Sequence, residues 1–364
     1  MQTTDPAPQH GRLESIQVLR GLAAMGVILA HLSVSFQSLF GFKTTPDFFM
    51  GNVGVDLFFV ISGFIMVYSS EAIFGTPGAS GTFLRRRLLR IIPLYWAATA
   101  FQCYLYYRFG GPPTSAPTLH NVIASLFFLP IPGQGEQVVP ILMVGWTLNF
   151  EMLFYVVFAL AVTQLRMTAV VFTTAVLGSL VILGLVAGPH LWIYLRPLTN
   201  PLILEFLMGA WIAVALRAGF VIKPGVAWLM IVAGLCLVYF SPSKGEQDLF
   251  RISTWGAGFA LVVAAAALRR YEISPRNIFV QLGEASYSMY LTHWFVLMTP
   301  PAIIVAIFKP PYHPVIYSMV IVCAVITVAV VVHKFFELPV TSLLRHRAIA
   351  RLTPARAAET GGHR

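Results

Sequence analysis

Two residues that could do base and anion-binding chemistry, Arg20 and His31, lie inside the first hydrophobic segment, residues 16–36. They are eleven positions apart, so a helix places them on one face and roughly 16 Å apart along its axis. An imidazole titrates near neutral pH, and a guanidinium binds anions. Ionisable groups within a bilayer are costly and by default indicate a functional site. The alternatives are that Arg20 extends to the lipid headgroups and that His31 hydrogen-bonds between packed helices.

The composition places this segment in a membrane protein. Of the 364 residues, 57% are hydrophobic and only 10% are charged, and the mean hydropathy is +0.78. Soluble domains carry about 25% charged residues, so the sequence is that of a polytopic membrane protein. Its three cysteines lie within apolar runs, which indicates neither a disulfide framework nor a metal site. Residues 1–12 predict a disordered tail, and the segment that follows predicts a retained helix rather than a signal peptide.

The sequence predicts an all-α integral membrane protein, a bundle of about ten transmembrane helices. Apolar runs close to the length of about 20 residues that spans hydrocarbon lie at residues 16–37, 52–70, 86–107, 140–163, 167–187, 200–216, 225–241, 250–268, 286–308 and 315–336. With both termini cytoplasmic, eighteen Lys and Arg residues fall inside and six outside, Arg251 among the six. The net charge of +10 is therefore a topology signal and not a nucleic-acid footprint. A membrane domain at 13–340 is followed by a basic cytoplasmic tail at 341–364, disordered from His346 onward.

Asp56 is the first candidate partner of His31. It begins the second span, which runs in the opposite direction, so the two side chains are expected at a similar depth in the membrane. A carboxylate there can hold the imidazole in one tautomer and raise its basicity. Asp56 can equally cap the start of its own helix. In the same span, Gly54 and Gly63 predict close helix contacts.

An arginine cluster, residues 85–87 with Arg90, precedes the third span. Arg87 and Arg90 are three residues apart and share a helix face. Such a cluster can simply fix the orientation of the protein or bind lipid headgroups. The functional alternative is a clamp for a phosphorylated cytosolic donor, because guanidinium groups bind phosphate oxygens bidentately.

Further polar residues fall in the later spans. Glu151 lies near the middle of the fourth, where an unpaired carboxylate is costly, so we expect it to orient an arginine or the acceptor, or to hold the bundle together. Tyr287 and Tyr290 share a helix face and are candidate hydroxyl donors. For His293 a packing role is the simpler interpretation. At the end of the last span, Lys334 and Glu337 predict a surface pair.

Five motifs in order give the sequence a family resemblance: Arg20 with His31, Gly54 to Phe64, Arg87 to Arg90, Trp146 to Glu151, and Ser286 to His293. From Leu13 to about Leu338 the chain resembles the bacterial acyltransferase-3 family, and more narrowly its exopolysaccharide O-acetyltransferase branch, which modifies succinoglycan- or xanthan-type polymers. The resemblance implies a ten-helix inner-membrane enzyme that uses cytosolic acetyl-CoA to acetylate a sugar hydroxyl. It also implies that His31 is the essential histidine, Arg20 its partner, and Arg87 with Arg90 the cytoplasmic pair.

Acetyl transfer from a thioester to a hydroxyl needs a base, stabilisation of the developing oxyanion, and exclusion of water. We assign His31 as the general base, with acetyl-histidine as a secondary route, and Asp56 or Glu151 as the group that orients it. Arg20, Arg87 and Arg90 are assigned to the phosphates of acetyl-CoA, with Arg20 alternatively at the thioester. The expected partners are a polysaccharide or lipid-linked oligosaccharide acceptor, membrane lipids and other polysaccharide-assembly proteins. The competing class is a transporter or flippase for a lipid-linked saccharide, because carriers also bury ionisable residues.

Overall fold

The computed structural model describes residues 10–40, 53–111, 116–131, 140–192, 194–241, 249–269, 273–298 and 314–350. Within these ranges the chain is helical and forms no β-strand. The helices of the first half are α1 (His10–Phe40), α2 (Val53–Ser69), α3 (Ala79–Phe109), α4 (Leu119–Leu126), α5 (Trp146–Ala161) and α6 (Arg166–Ala187). The second half has α7 (Ile203–Arg217), α8 (Pro224–Tyr239), α9 (Leu249–Arg251), α10 (Ala257–Leu268), α11 (Ile278–Glu284), α12 (Ser286–Leu297), α13 (Pro314–Val332) and α14 (Leu338–Ala350).

Two pairs of consecutive helices are joined by π-helical turns that keep the helix continuous. Ile252–Gly256 joins α9 to α10, and His333–Glu337 joins α13 to α14. Short 3₁₀ segments lie at Glu71–Ile73, Met143–Gly145, Gly188–His190 and Arg196–Thr199. Single π-helical turns occur frequently at functional sites, and each of these two adjoins or contains buried charged residues.

Five stretches are long and apolar enough to cross a membrane: Glu14–Ser33, Met143–Ala161, Arg166–Ala187, Leu249–Leu268 and Val315–His346. The apolar helices α2 and α8 are shorter. The all-helical membrane architecture agrees with the sequence, whereas ten spans and the orientation of the termini stay predictions. The ninth predicted span, 286–308, begins as α12, and its last residues lie outside the described part of the chain.

The first and last helices extend beyond the predicted membrane domain of residues 13–340. Helix α1 begins at His10 and α14 continues to Ala350, so both extend into the segments predicted as tails. At the carboxyl end the physical reason is that no glycine or proline follows Pro339 until Pro354, so nothing in the sequence stops the helix earlier. Residues 1–9 and 351–364 lie outside the described residues.

Glycines allow α2 to approach two neighbouring helices closely, as the sequence predicted. A Cβ atom on Gly54 would overlap the backbone of Ala23 in α1, and one on Gly63 would overlap the backbone of Phe206 in α7. Gly209 of α7 meets the backbone of Val60 in the same way. Small residues at these points let backbones pack directly, which gives membrane helices their van der Waals contact. Helix α2 is thereby fixed between α1 and α7, and Asp56 and Ser62 are positioned with it.

A second apolar cluster fixes α1 against α12 and α13. Ala24, Ile28 and Leu32 of α1 pack with Met289 and Leu297 of α12, and α13 contributes Tyr317, Ile321, Val325 and Ala329. His31 and His293 lie on the two helices that this cluster holds together. The packing of α1 on α12 therefore determines the distance between the two imidazoles.

Candidate active site

A small cavity lies between α1, α2, α3, α5 and α12, and we call it the inner cavity. Its volume is about 100 Å³. Its polar lining residues are Arg20, Ser62, Arg87, Arg90, Thr147, Glu151, Tyr155, Ser286, Tyr287 and Tyr290. Apolar side chains of α2, among them Phe58 and Phe59, complete the wall. The structure therefore brings together Arg20, Arg87, Arg90 and Glu151, which the sequence analysis selected separately.

Arg20 is held at the wall of this cavity by two side-chain hydrogen bonds. Its Nη1 donates to Gln17 Oε1 at 2.9 Å and its Nη2 donates to Ser286 Oγ at 2.8 Å. A guanidinium has five N–H donors, so these two bonds fix its orientation and leave further donors for a ligand. Ser286 begins α12, which ties the position of Arg20 to the helix that carries His293.

Glu151 lies on the part of the cavity wall that α5 forms. Its Oε1 accepts a hydrogen bond from Tyr155 Oη at 2.5 Å and one from Ser62 Oγ at 3.3 Å. These bonds hold the carboxylate within the inner cavity, where three guanidinium groups also lie. Glu151 is thus placed to balance the charge of the arginines rather than to touch His31.

Two tyrosines of α12 close the cavity. Tyr287 Oη donates to the backbone oxygen of Ile91 at 2.7 Å. Tyr290 Oη lies 2.7 Å from the backbone oxygen of Val144 and 2.8 Å from Thr147 Oγ1. Both rings are held by bonds to neighbouring segments, so this part of the cavity has a defined wall.

His31 lies outside the inner cavity, half-buried beside α12. Its Nδ1 is 3.0 Å from the carbonyl oxygen of Val27, one turn earlier in α1. A carbonyl oxygen only accepts, so the bond requires that Nδ1 carries the proton. In the neutral ring the lone pair is then on Nε2, which is the atom that a general base uses.

His293 is a titratable neighbour of His31. The two ring centroids are 5.1 Å apart with planes tilted by 54°, and Trp294 lies edge-on to His31 at 5.9 Å. His293 is fully buried, and its Nδ1 is 3.2 Å from the backbone oxygen of Met289. Its Nε2 has no hydrogen-bond partner among the described residues. His293 is buried, as a packing role requires, and it also contacts the candidate base His31.

Two ring contacts connect the inner cavity to His31. Tyr290, which lines the cavity, has its ring centroid 6.0 Å from that of His293 and 5.9 Å from that of Phe58. His293 in turn contacts His31. The side chains of Tyr290 and His293 thus separate the arginine-lined space from the imidazole of His31.

The predicted contact between Asp56 and His31 is wrong, because Asp56 has a different partner. Both of its carboxylate oxygens accept from Arg251, with Arg251 Nε to Oδ1 at 2.8 Å and Nη2 to Oδ2 at 2.7 Å. The pair is buried, with side-chain exposures of 0% for Asp56 and 2% for Arg251. Arg251, which the charge count assigned to the outer side, is buried within the helix. The signal that was available is that a carboxylate inside a span requires a buried cation.

Loss of one partner of the buried pair between Asp56 and Arg251 is expected to destabilise the protein. Asp56→Asn removes the carboxylate that accepts both hydrogen bonds from buried Arg251, and we expect it to lower stability by about 3–5 kcal/mol. The double variant Asp56→Leu with Arg251→Met removes both charges and is expected to recover most of the loss. Thermal unfolding of the purified protein in detergent measures both. A double variant as unstable as Asp56→Asn would contradict a structural role for the pair.

The exposed pair between Glu71 and Arg166 provides the matched control. Its N–O distance of 2.7 Å equals that of the buried pair, but the side chains are 40% and 29% exposed. Solvated pairs of this kind contribute about 0–1 kcal/mol, so Glu71→Gln is expected to change the unfolding temperature little.

The surface pair predicted between Lys334 and Glu337 is also wrong. Glu337 is buried, and its Oε2 accepts from Ser288 Oγ at 2.6 Å and lies 2.8 Å from Nδ1 of His333. The π-helical turn at His333–Glu337 directs this carboxylate toward α12. Ordinary helical periodicity does not anticipate such a turn, which is why the sequence placed Glu337 at the surface.

A larger cavity of about 360 Å³ adjoins the inner cavity at the arginine cluster, and we call it the vestibule. Five arginines line it, namely Arg85, Arg86, Arg87, Arg90 and Arg345, together with Ser69 and Ser70 at the end of α2. Arg87 and Arg90 line both cavities. Arg87 also donates to Ser69 Oγ and lies 5.7 Å from the ring centroid of Phe83. These two arginines therefore form the boundary between the two spaces.

Comparison with known families defines the class of this protein. The model of the acyltransferase-3 family, described as an acyltransferase domain, matches residues 13–334. The matched region includes both histidines, Glu151 and the three arginines of the inner cavity, and the chain belongs to this family of membrane acyltransferases.

The chain is also similar to individual proteins of known name. The chain is 36% identical over 266 residues to the exopolysaccharide production protein ExoZ of Rhizobium meliloti, covering 70% of this chain and 79% of ExoZ. It is 24% identical to acyltransferase MdmB of Streptomyces mycarofaciens, over 80% of each protein. It is 23% identical to the O-acetyltransferase OatA of Staphylococcus aureus, over 79% of this chain and 51% of OatA. No solved structure matches the chain significantly.

Proposed function

We propose that the protein is an O-acetyltransferase of the bacterial inner membrane. It transfers an acetyl group from cytosolic acetyl-CoA to a sugar hydroxyl of an exopolysaccharide or of its lipid-linked repeat unit. The observation that carries the proposal is the pair of adjoining cavities, which lead from an arginine-lined vestibule, past Arg87 and Arg90, to the ring contacts around His31. The name of ExoZ supports the polysaccharide acceptor, and that of OatA supports acetyl as the group transferred.

The two cavities match the two ends of an acyl-CoA in size and chemistry. Ligand pockets are commonly about 300–1,000 Å³, and the vestibule, at about 360 Å³, falls in this range. The inner cavity, about 100 Å³, suits a narrow arm and a short acyl end rather than a nucleotide. Phosphates bind bidentately to guanidinium groups, so Arg87 and Arg90 hold the pyrophosphate and the arm extends toward Tyr290. Arg20, fixed by Gln17 and Ser286, also lies within the inner cavity, and we assign it with Arg87 and Arg90 to the phosphate end of the donor.

His31 acts as the general base in this proposal. Its Nε2 takes the proton of the acceptor hydroxyl, whose oxygen attacks the thioester carbonyl. The carbon–sulfur bond breaks, the acetyl group remains on the sugar oxygen, and coenzyme A leaves as the thiol with the proton that His31 took up. The ring of His293, with its own Nε2 buried, packs against the imidazole of His31 and holds it in place. This assignment gives His293 a positioning role that Asp56 cannot fill.

Acetyl transfer requires the Tyr290 side chain to move. Its ring separates the inner cavity from the histidine pair, and among the described residues its hydroxyl is held by Val144 and Thr147. A closed partition keeps water from the activated carbonyl until the acceptor has bound, which protects the thioester from hydrolysis. The ring therefore serves as a barrier between donor and acceptor sides.

The direct test is turnover by the purified protein in detergent. Acetyl-CoA is supplied with an exopolysaccharide fragment, and release of free thiol is measured together with the acetyl content of the sugar by mass spectrometry. We expect thiol release to depend on the sugar and to equal the acetyl groups transferred. A transporter or flippase would release no thiol, and that result in folded protein would overturn the proposal.

A further inference from the structure

The vestibule contains arginines that the arm and pyrophosphate of an acyl-CoA leave unused. Arg87 and Arg90 belong to both cavities, whereas Arg85, Arg86 and Arg345 line the vestibule alone. None of the described residues that line it carries a carboxylate. Cations held close together repel one another, so this arrangement is suited to a ligand with more than one phosphate group.

Arg345 is the member of this set that comes from a separate part of the chain. It lies on α14, beyond residue 334, where the family match ends. Helix α14 packs against α3, the helix that carries the other four arginines. Glu337, at the junction that leads into α14, is bonded to Ser288 of α12. These contacts fix the rotation of the helix and hold Arg345 at the vestibule.

We propose that Arg345, with Arg85 and Arg86, forms a second phosphate subsite that binds the phosphate on the ribose of coenzyme A. This inference rests on the proposed function. Coenzyme A carries a pyrophosphate between its arm and its nucleoside, and a further phosphate on the ribose at the far end. With the arm in the inner cavity and the pyrophosphate at Arg87 and Arg90, the nucleoside end lies in the vestibule. The subsite therefore makes the protein distinguish acetyl-CoA from acetyl-dephospho-CoA, which lacks only that phosphate.

The experiment compares KM for these two thioesters in a neutral detergent. The wild type is expected to have a KM roughly tenfold lower for acetyl-CoA, the scale of one charge-assisted hydrogen bond. Arg345→Ala is expected to raise the KM for acetyl-CoA by about tenfold and to leave that for acetyl-dephospho-CoA unchanged. Arg345→Lys keeps the charge without the planar fork and is expected to give an intermediate value.

Arg276→Ala is the matched control, because Arg276 is an exposed arginine that lines neither cavity. It is expected to change neither KM. An equal rise for both thioesters in Arg345→Ala would overturn the subsite, because it would indicate a general structural or electrostatic effect. No rise for either thioester would also overturn it.

Anionic lipid headgroups share the same phosphate chemistry, and a second arm of the experiment separates the two sources. The assays are repeated in nanodiscs with and without phosphatidylglycerol. An Arg345→Ala effect that appears only with the anionic lipid would assign Arg345 to lipid and overturn the proposal. If the wild type has the same KM for both thioesters, the subsite is overturned and the proposed function is not. If the wild type binds neither thioester, the proposed function is overturned as well.

Discussion

Replacement of His31 by glutamine is expected to lower kcat for acetyl transfer by about 10²- to 10⁴-fold, the usual contribution of a positioned general base. Glutamine has a similar length and an amide N–H group, but it lacks the Nε2 lone pair that accepts the proton. His31 contacts Val27, His293 and Trp294 and none of the arginines of the inner cavity. Binding of acetyl-CoA is therefore expected to stay within about twofold of the wild type. Rapid-quench measurement of thiol release and equilibrium binding of coenzyme A together check this expectation.

The exposed His190, at the end of α6, supplies the control for this variant. His190→Gln makes the same chemical change away from the site and is expected to leave kcat unaltered. A His31→Gln protein that inserts in the membrane, unfolds at the wild-type temperature and keeps more than a tenth of the activity would exclude His31 as the base.

Removal of the arginine pair is expected to act on the donor side of the reaction. Arg87→Ala and Arg90→Ala each remove charge-assisted hydrogen bonds to phosphate, so each is expected to raise the KM for acetyl-CoA by roughly 10- to 100-fold. The KM for the sugar acceptor is expected to stay constant, because the two side chains line the vestibule and the inner cavity and do not approach His31. Initial rates with either substrate varied separate these effects.

Lysine at the same positions tests the geometry of the clamp. Arg87→Lys and Arg90→Lys keep the positive charge but lose the bidentate fork, so they are expected to fall between the wild type and the alanine variants. A rise in the acceptor KM, or an unchanged KM for acetyl-CoA, would place the donor elsewhere. Arg166→Ala, which removes a half-buried arginine bonded to Glu71 and outside both cavities, controls for loss of charge alone.

The four charged members of the inner cavity were predictable from the sequence, because Arg20 and Glu151 interrupt apolar runs and the other two belong to an arginine cluster beside a span. A charge in or beside a membrane span has a high free-energy cost unless it is paired or solvated. The structure places all four of these side chains, Arg20, Arg87, Arg90 and Glu151, in the wall of the inner cavity. The close approach of α2 to its neighbours followed from Gly54 and Gly63 for a similar reason, since only small residues permit it.

The partners of the buried acids could not be predicted by the same logic. A carboxylate within a span needs a buried cation, but the sequence does not identify which residue supplies it. Asp56 and Arg251 are 195 residues apart in sequence. Glu337 was misplaced because a π-helical turn shifts the face on which it lies. Arg345 was assigned to a tail because a charge count cannot tell a loop from the last turns of a long helix. These features depend on tertiary packing rather than on local pattern.

The central claim is that the thioester of a bound acyl-CoA reaches His31 past the arginines, and an affinity label measures this directly. Bromoacetyl-CoA binds as the donor does but carries an electrophilic carbon beside the thioester carbonyl. Attack by an imidazole nitrogen expels bromide and leaves a covalent bond. A background with Cys103, Cys236 and Cys323 replaced by alanine removes the free thiols that would compete. Peptide mass spectrometry then locates the label.

We expect the label on His31, with its yield reduced by excess coenzyme A, lowered in Arg87→Ala and absent from that position in His31→Gln. Labelling confined to the vestibule, or to residues whose modification coenzyme A does not prevent, would show that the donor never approaches this imidazole and would contradict the account.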